Sequence, residues 1–279
     1  MRVAIAGAGR VGCAVGRALQ QAGADVSFIV RHQPPADCVP WFRIEKWNFD
    51  ADLVLIATPD REIRAVAGEI ASRVPETAVV GHFSGALGSD CLSNGFAGRF
   101  SAHPVYAFPL PQQGRVLPKN VIFTIEGDAH GLEMARRTLD LLHARPFQIN
   151  RANKPLYHAA CVIAANFTSL NALIASWILR AIGHPWPDEI VRALLSSAAD
   201  LKPFDEATIT GPVTRGDTNV IREHIRALEP KFPLFIDHYK SSVTTLARLL
   251  VNAGILEEKQ WKKIRQALKN EKERDSSPN

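Results

Sequence analysis

The sequence is poor in cysteine. None of its four, Cys13, Cys38, Cys91 and Cys161, forms a CxxC pair or a zinc spacing. That excludes a motif-encoded zinc site and a dithiol redox motif, and it predicts reduced, mostly buried thiols in a cytosolic protein. The N-terminus shows no charged leader, apolar region or cleavage site, so no secretion signal is expected. A large charge imbalance is missing too: 33 basic minus 28 acidic residues gives +5. Much of the basic clustering, Lys259 to Arg274, is interleaved with acids, as on a solvated helix face rather than a nucleic-acid surface. An unbroken membrane span is also lacking. The most apolar stretch, Leu156 to Ile182, is interrupted by His158, Asn166, Thr168, Asn171 and Ser176, which predicts a buried core helix rather than a helix in lipid. There is no internal repeat, and beyond Asn150 there is no convincing strand.

What the sequence has is concentrated in its first thirty-one residues. Arg2 to Ala6 is a short apolar run of β-formers. It breaks into Gly7-Ala8-Gly9-Arg10-Val11-Gly12, then into an apolar-periodic stretch from Cys13 to Ala22, and then into a second run, Val26 to Val30. Strand, GxGxxG turn, helix and strand follow in the order of a dinucleotide site. Gly7 allows the tight turn, Gly9 lets the backbone approach a pyrophosphate, and Gly12 lets the helix pack on the strand. Gly7, Gly9, Arg10, Val11 and Gly12 are therefore candidate cofactor contacts, with the anion on free N–H groups at the helix start. An Asp or Glu about 20 residues after the glycines would bond a ribose 2′-hydroxyl. Here Arg31 and His32 stand at that place. A guanidinium suits a 2′-phosphate, so the expected cofactor is NADP.

Further along, Asp52 to Ala57 reads as a strand buried on both faces. It ends at Thr58-Pro59-Asp60, and a helix follows from about Arg61 to Arg73. Ala78 to Val80, Arg99 to Ala102, Val121 to Ile125 and Phe147 to Ile149 read as strands, with a helix from Asp128 to His143. The segment His32 to Pro40 reads as irregular. Strands alternating with helices predict a doubly wound α/β sheet. From Asn150 onward the pattern predicts helices only, over about 153–182, 188–201, 217–228, 234–253 and 257–270. The expected organisation is an NADP-binding α/β domain over 1–150, an all-α domain over 151–270, and a disordered charged tail over 271–279.

Three constellations could carry chemistry. Strand-end loops place His82, Ser84 and His103 on the cofactor side of a parallel sheet, together with Thr58 and Pro59. The long helix opens with Lys154, Tyr157 and His158; Lys154 and His158 are four apart and share a face. Asn166 lies two turns on, offset by about 80° from His158. If that stripe lines the cleft, Lys154 or His158 can protonate a nascent alkoxide and Asn166 can hold the substrate. Last, Thr210 to Asp217 is a glycine- and proline-containing loop opening a helix, where Arg215 beside Asp217 could hold a carboxylate or phosphate.

Residues Gly7 to Gly12, Asp52 to Asp60, His82-Phe83-Ser84-Gly85-Ala86 and Ala102-His103-Pro104 together resemble the Rossmann domain of the 6-phosphogluconate, β-hydroxyacid and ketopantoate reductase superfamily. Lys154-Pro155-Leu156-Tyr157-His158-Ala159-Ala160, Asn166 and Thr210 to Asp217 resemble the helical DUF2520 domain. The resemblance spans roughly residues 1 to 255. It implies an NADP(H)-dependent reductase whose helical domain builds a homodimer and closes the substrate cleft, similar to an alternative form of ketopantoate reductase in pantothenate synthesis. Hydroxyacid dehydrogenases and ordinary ketopantoate reductases carry Asn four residues after the catalytic Lys. Here that position is His158, so Lys154 and His158 share the expected proton-donor role, with His103 as the alternative from the sheet side.

Three readings follow. The first is a reductase of a small 2-oxo acid, with Arg215 on the carboxylate and His82 and Asp217 as further substrate contacts. The second is an imine reductase of the pyrroline-carboxylate kind. The third is an NADP-binding redox sensor without turnover. The expected partners are a small anionic substrate and a second copy of the chain, with no nucleic acid and no membrane.

Overall fold

The computed structural model describes residues 1–47, 50–108, 116–201 and 204–269. The chain divides into two compact units, Met1–Thr168 and Ser169–Asn279. The division falls inside the long helical stretch rather than before it, because the first turns of that stretch pack on the sheet. The expected tail disorder over 271–279 lies outside the described residues.

The first unit is built on one eight-stranded sheet. Its strands are β1 (Arg2–Ala6), β2 (Asp25–Val30), β3 (Trp41–Arg43), β4 (Leu53–Ile56), β5 (Val79–His82), β6 (Gly98–Pro104), β7 (Ile122–Gly127) and β8 (Arg145–Gln148), in the order β3-β2-β1-β4-β5-β6-β7-β8. Side chains alternate across β1. Val3 and Ile5 join Phe28, Phe100 and Phe123 on one face, under helix α1 (Arg10–Gln21) and helix α3 (Ala129–Leu141). Ala4 and Ala6 join Val54, Ile56 and Trp47 on the other, under helix α2 (Asp60–Ala71). Residues 53–56 are buried throughout, as the unbroken apolar run predicts for a central parallel strand.

Two features depart from the sequence reading. Trp41–Arg43 forms a strand that pairs parallel with β2, Val30 opposite Arg43, just after the segment read as irregular. Three residues are too few to show a period, so only the partner strand defines them. The sheet is also not parallel throughout: β6 and β7 pair antiparallel, with His103 opposite Thr124. The described part of the connection between them contains no helix, and an antiparallel neighbour needs no crossover helix.

After β8 the chain stays helical through α4 (Lys154–Val162), a π-helical turn (Ile163–Phe167) and α5 (Thr168–Ala181), and Gly183 at φ +74° ends it. The second unit continues with α6 (Pro187–Ala199), α7 (Thr218–Leu228), α8 (Pro233–Asn252) and α9 (Glu258–Ala267). Ile221, Ile225, Val243, Leu250 and Ile264 from the last three helices form its core. All eight helices expected from periodicity are present.

One expectation fails. The stretch Arg151–Ala181 is not a buried core helix: only 6% of its most apolar window is buried. By length and composition it could cross a membrane. Leu156, Ile163, Phe167, Leu173 and Trp177 are exposed. Periodicity shows that such a helix needs cover, but not whether its own chain provides it. Of the cysteines, Cys13, Cys38 and Cys91 are buried and Cys161 is partly so, all as free thiols. Cys13 and Cys38 are in contact, and burial pushes the Cys13 thiol up to about 12.

Candidate active site

Strand order reverses between β1 and β4, the usual ligand crevice of a doubly wound sheet. The glycine-rich turn lies there. Gly7 adopts φ +107° and its N–H donates to the Ile29 carbonyl at 2.9 Å. A Cβ on Gly12 would stand 2.0 Å from the Gly7 carbonyl oxygen, so α1 could not pack against the turn with any larger residue. A Cβ on Gly9 would meet nothing within 4 Å, so the backbone is open on that side. Gly9 caps α1 without a side-chain bond, and no acidic residue stands in the first turn. The helix therefore offers free N–H groups and positive dipole to an anion. Arg10 is exposed and Val11 partly so. Thr58, at the end of β4, has a buried hydroxyl with no hydrogen-bond partner among the described residues. Pro59 caps α2. A cavity of about 370 Å³ adjoins the turn, lined by Gly7, Ala8, Val30, Arg31, Pro34 and Thr58 among others.

Arg31 lies on this cavity, largely exposed, as expected. Two neighbours were not expected. The Glu69 carboxylate is 3.6 Å from the Arg31 guanidinium, and Arg43 of β3 donates to the Arg31 carbonyl at 3.5 Å. A second guanidinium thus stands at the same sheet edge, together with a carboxylate that competes for the first.

The next two parallel strand ends carry a polar cluster. The Ser84 hydroxyl donates to Asp60 at 2.8 Å and accepts from the Ala86 and Leu87 N–H groups, so it ties the loop after β5 to α2. Its bonding capacity serves the loop, which leaves it no part as a direct cofactor contact. His82 is fully buried. Its Nδ1 accepts from the Ser84 N–H at 3.1 Å and its Nε2 pairs with the Gly88 carbonyl at 3.2 Å. This ring holds its own loop and does not reach a substrate. Burial pushes it down to about 4.

Lys154 is also placed differently from expectation. Its side chain is 1% exposed, and Nζ donates to the Ser101 hydroxyl at 2.6 Å and the Ser84 carbonyl at 3.1 Å. Burial lowers its pKa. The ammonium docks the start of α4 onto the ends of β5 and β6. A turn further on, the Tyr157 hydroxyl is 2.7 Å from His103 Nδ1. The His103 and His158 rings stand edge to face, centroids 5.7 Å apart. His158 Nδ1 is buried with no partner among the described residues. A Cβ on Gly85 would lie 2.4 Å from that atom and 3.0 Å from His103 Nε2, so only glycine leaves room for both rings. His103 is pushed down to about 4 by burial, then by His158 and Lys154, and is neutral near pH 7.

The structure thus brings Lys154, His158 and His103 together. Asn166 is exposed within the π-helical turn, where the wider winding invalidates an angle counted at 100° per residue. Arg215 and Asp217 belong to the second unit, and Arg215 Nε donates to the Asp217 carboxylate at 2.9 Å; Asp217 caps α7 without its carboxylate accepting from the helix N–H groups. Sequence reasoning gave Tyr157 no separate role, although residues 154, 157 and 158 share the i, i+3, i+4 face. Gly85 and Ser101 carried no signal apart from their neighbours.

Residues 1–97 match the family described as a Rossmann-like domain, and residues 121–245 match the family described as a domain of unknown function, DUF2520. No curated protein matches the chain. Solved structures do. Protein TM1727 from Thermotoga maritima is 26% identical, with TM-score 0.67 over 90% of this chain and 99% of that one. A Bacteroides fragilis protein provisionally described as an NADP oxidoreductase, BF3122, is 20% identical, with TM-score 0.76 over 88% and 98%. Plasmodium falciparum pyrroline carboxylate reductase with NADP bound is 11% identical, with TM-score 0.60 over 95% and 98%. At those identities the last two show the shared fold.

The His82 geometry predicts a pH dependence. Its pKa near 4 lies below the unfolded value of about 6.5. The unfolded chain therefore binds the proton first, and stability falls as pH drops from about 6.5 toward 4, by about 3 kcal/mol for this group. Urea unfolding at pH 7 and pH 4 should show a smaller loss for His82→Gln than for wild type, although the variant starts less stable. Equal losses in both proteins would refute the assignment.

Proposed function

We propose that the chain is an NADP(H)-dependent oxidoreductase that reduces a small anionic 2-oxo acid, with ketopantoate-like compounds as the substrate class. The observation that carries the reading is the pairing of two features on one sheet edge. An open helix N-terminus at Gly9, with an unpartnered Thr58 hydroxyl beside it, fits a dinucleotide pyrophosphate. Two strands along, the neutral His103 ring and the His158 ring converge beside Gly85. The likeness to NADP-bound pyrroline carboxylate reductase supports a nicotinamide cofactor.

When bound, the dinucleotide supplies the reducing equivalent. The chain's own residues do the rest. The neutral His103 donates its Nε2–H as a hydrogen bond to the substrate oxygen and stabilises the charge that develops there, the proton that completes the hydroxyl comes from solvent, and His158 shapes the space next to it. Lys154 acts indirectly, by holding α4 against the sheet. Arg31 grips the 2′-phosphate. The free thiols suit a cytoplasmic enzyme.

We also propose a homodimer in which a second copy covers the apolar side of the 151–181 stretch. Large exposed apolar patches mark interfaces. The exposed Asn166 within this stretch argues for a protein neighbour rather than lipid.

Three results are expected. NADPH should bind at least about tenfold tighter than NADH, about 1.4 kcal/mol, and Arg31→Asp should reverse most of that preference. Fluorescence titration decides, and equal affinities would remove Arg31 from the phosphate role. In a screen of NADPH oxidation against 2-oxo acids and cyclic imines, the oxo acids should react. His103→Gln should then turn over at least about a hundredfold more slowly with NADPH affinity intact. Oxidation by imines alone would replace the substrate class, and no oxidation by either would leave a binding protein. Light scattering at micromolar concentration should show a dimer; monomer alone would contradict the proposed cover.

A further inference from the structure

We infer that Tyr157 is a positioning residue for His103: its hydroxyl donates to Nδ1 and fixes the imidazole as the Nε2–H tautomer, with the N–H on the side facing Gly85 and His158. The inference rests on the reading of His103 as the hydrogen-bond donor to the substrate oxygen.

A neutral imidazole has one donor nitrogen and one acceptor nitrogen, and the bond made by one decides the other. The 2.7 Å contact between Tyr157 Oη and His103 Nδ1 is short and direct. A phenol O–H is a stronger acid than a neutral imidazole N–H, so the phenol is the donor in this pair. The phenol oxygen remains available to accept. The Thr124 hydroxyl bonds to it and the Cys161 thiol is a further side-chain partner of the phenol, and Thr124 sits directly across the β6–β7 ladder from His103. On the other side of the ring, His103 Nε2 lies 3.0 Å from where a Gly85 Cβ would stand, and the unpartnered His158 Nδ1 lies 2.4 Å from the same point. Both nitrogens therefore border the one place where the chain has dispensed with a side chain. A proton on Nε2 faces that place. A proton on Nδ1 would leave Nε2 as a bare acceptor there, with nothing to offer a substrate oxygen.

Lys154 adds the mechanical part. With its ammonium fixed on Ser84 and Ser101, the first turn of α4 is pinned, and Tyr157 stands one turn along at a set distance from the sheet. A phenylalanine at 157 would keep the packing and lose only the hydroxyl.

The test is spectroscopic and needs no substrate. Protein labelled with ¹⁵N-histidine is examined near pH 7 by long-range ¹H–¹⁵N correlation, and the His103 signals are assigned by their loss in His103→Gln. In wild type, His103 should carry its proton on Nε2, with the Nδ1 resonance displaced in the direction of a hydrogen-bonded acceptor. In Tyr157→Phe, Nδ1 should lose that displacement and both nitrogens should move toward the average of two exchanging tautomers. A wild-type ring protonated on Nδ1, or a His103 spectrum unchanged by Tyr157→Phe, would overturn the inference. The wild-type spectrum is decisive by itself if the variant fails to fold. Because no turnover is measured, an error in the proposed reaction would not mimic either result.

Discussion

The buried ammonium of Lys154 is the contact on which the candidate site depends. It is an amine taken out of water, and its charge is supported by a carbonyl and a hydroxyl at 3.1 and 2.6 Å and by the nearby Glu126 and Asp60 carboxylates. Such a charge is costly unless hydrogen-bonded, so these bonds fix where α4 can sit. Both acceptors come from the sheet, Ser84 after β5 and Ser101 within β6. The Ser84 hydroxyl is itself engaged by Asp60 of α2. A chain of polar contacts therefore runs from the start of α2, through two strand ends, into α4. Tyr157 and His158 reach His103 because this chain is in place.

The dinucleotide half of the site was legible in the residue order. Gly7 and Gly12 are demanded by local geometry: a positive φ in one case, and a 2.0 Å clash with a neighbouring carbonyl in the other. Constraints that act over five residues leave a local signature. Arg31 was legible for the same reason, since it directly follows a strand. Glu69 and Arg43 beside it were not, because they arrive from α2 and from a three-residue strand whose place is set by pairing with β2.

The polar cluster shows where pattern stops being sufficient. Spacing placed Lys154 and His158 on one face and strand ends placed His82, Ser84 and His103 near each other, and the fold agrees with both. The assignment of chemistry did not follow. His82 and Ser84 carry reactive groups, yet their bonding capacity is spent on Gly88 and Asp60 and on their own loop, and two of the three Lys154 donors are engaged by Ser84 and Ser101. Residue type gives a side chain's capacity to react, whereas its partners decide whether that capacity is free. For Asn166 the reason is different: a π-helical turn changes the winding just where the angle was counted.

The long helix puts the same limit in energetic form. Its sequence is apolar enough to require burial on nearly every side, and within the chain that requirement is unmet, with Leu156 78% and Ile163 59% exposed. Near 25 cal/mol per Å² of apolar surface, a row of such side chains left in water forgoes on the order of several kcal/mol. Marginal stability makes that too large a term to leave unused. The apolar pattern of this helix is the observation behind the proposed homodimer. Polar residues spaced along it, Asn166 and Asn171 among them, restrict what can lie against it, since each needs a partner able to hydrogen-bond. In the second unit that need is visibly met for Asn171, whose Oδ1 pairs with His238 Nε2 at 2.7 Å.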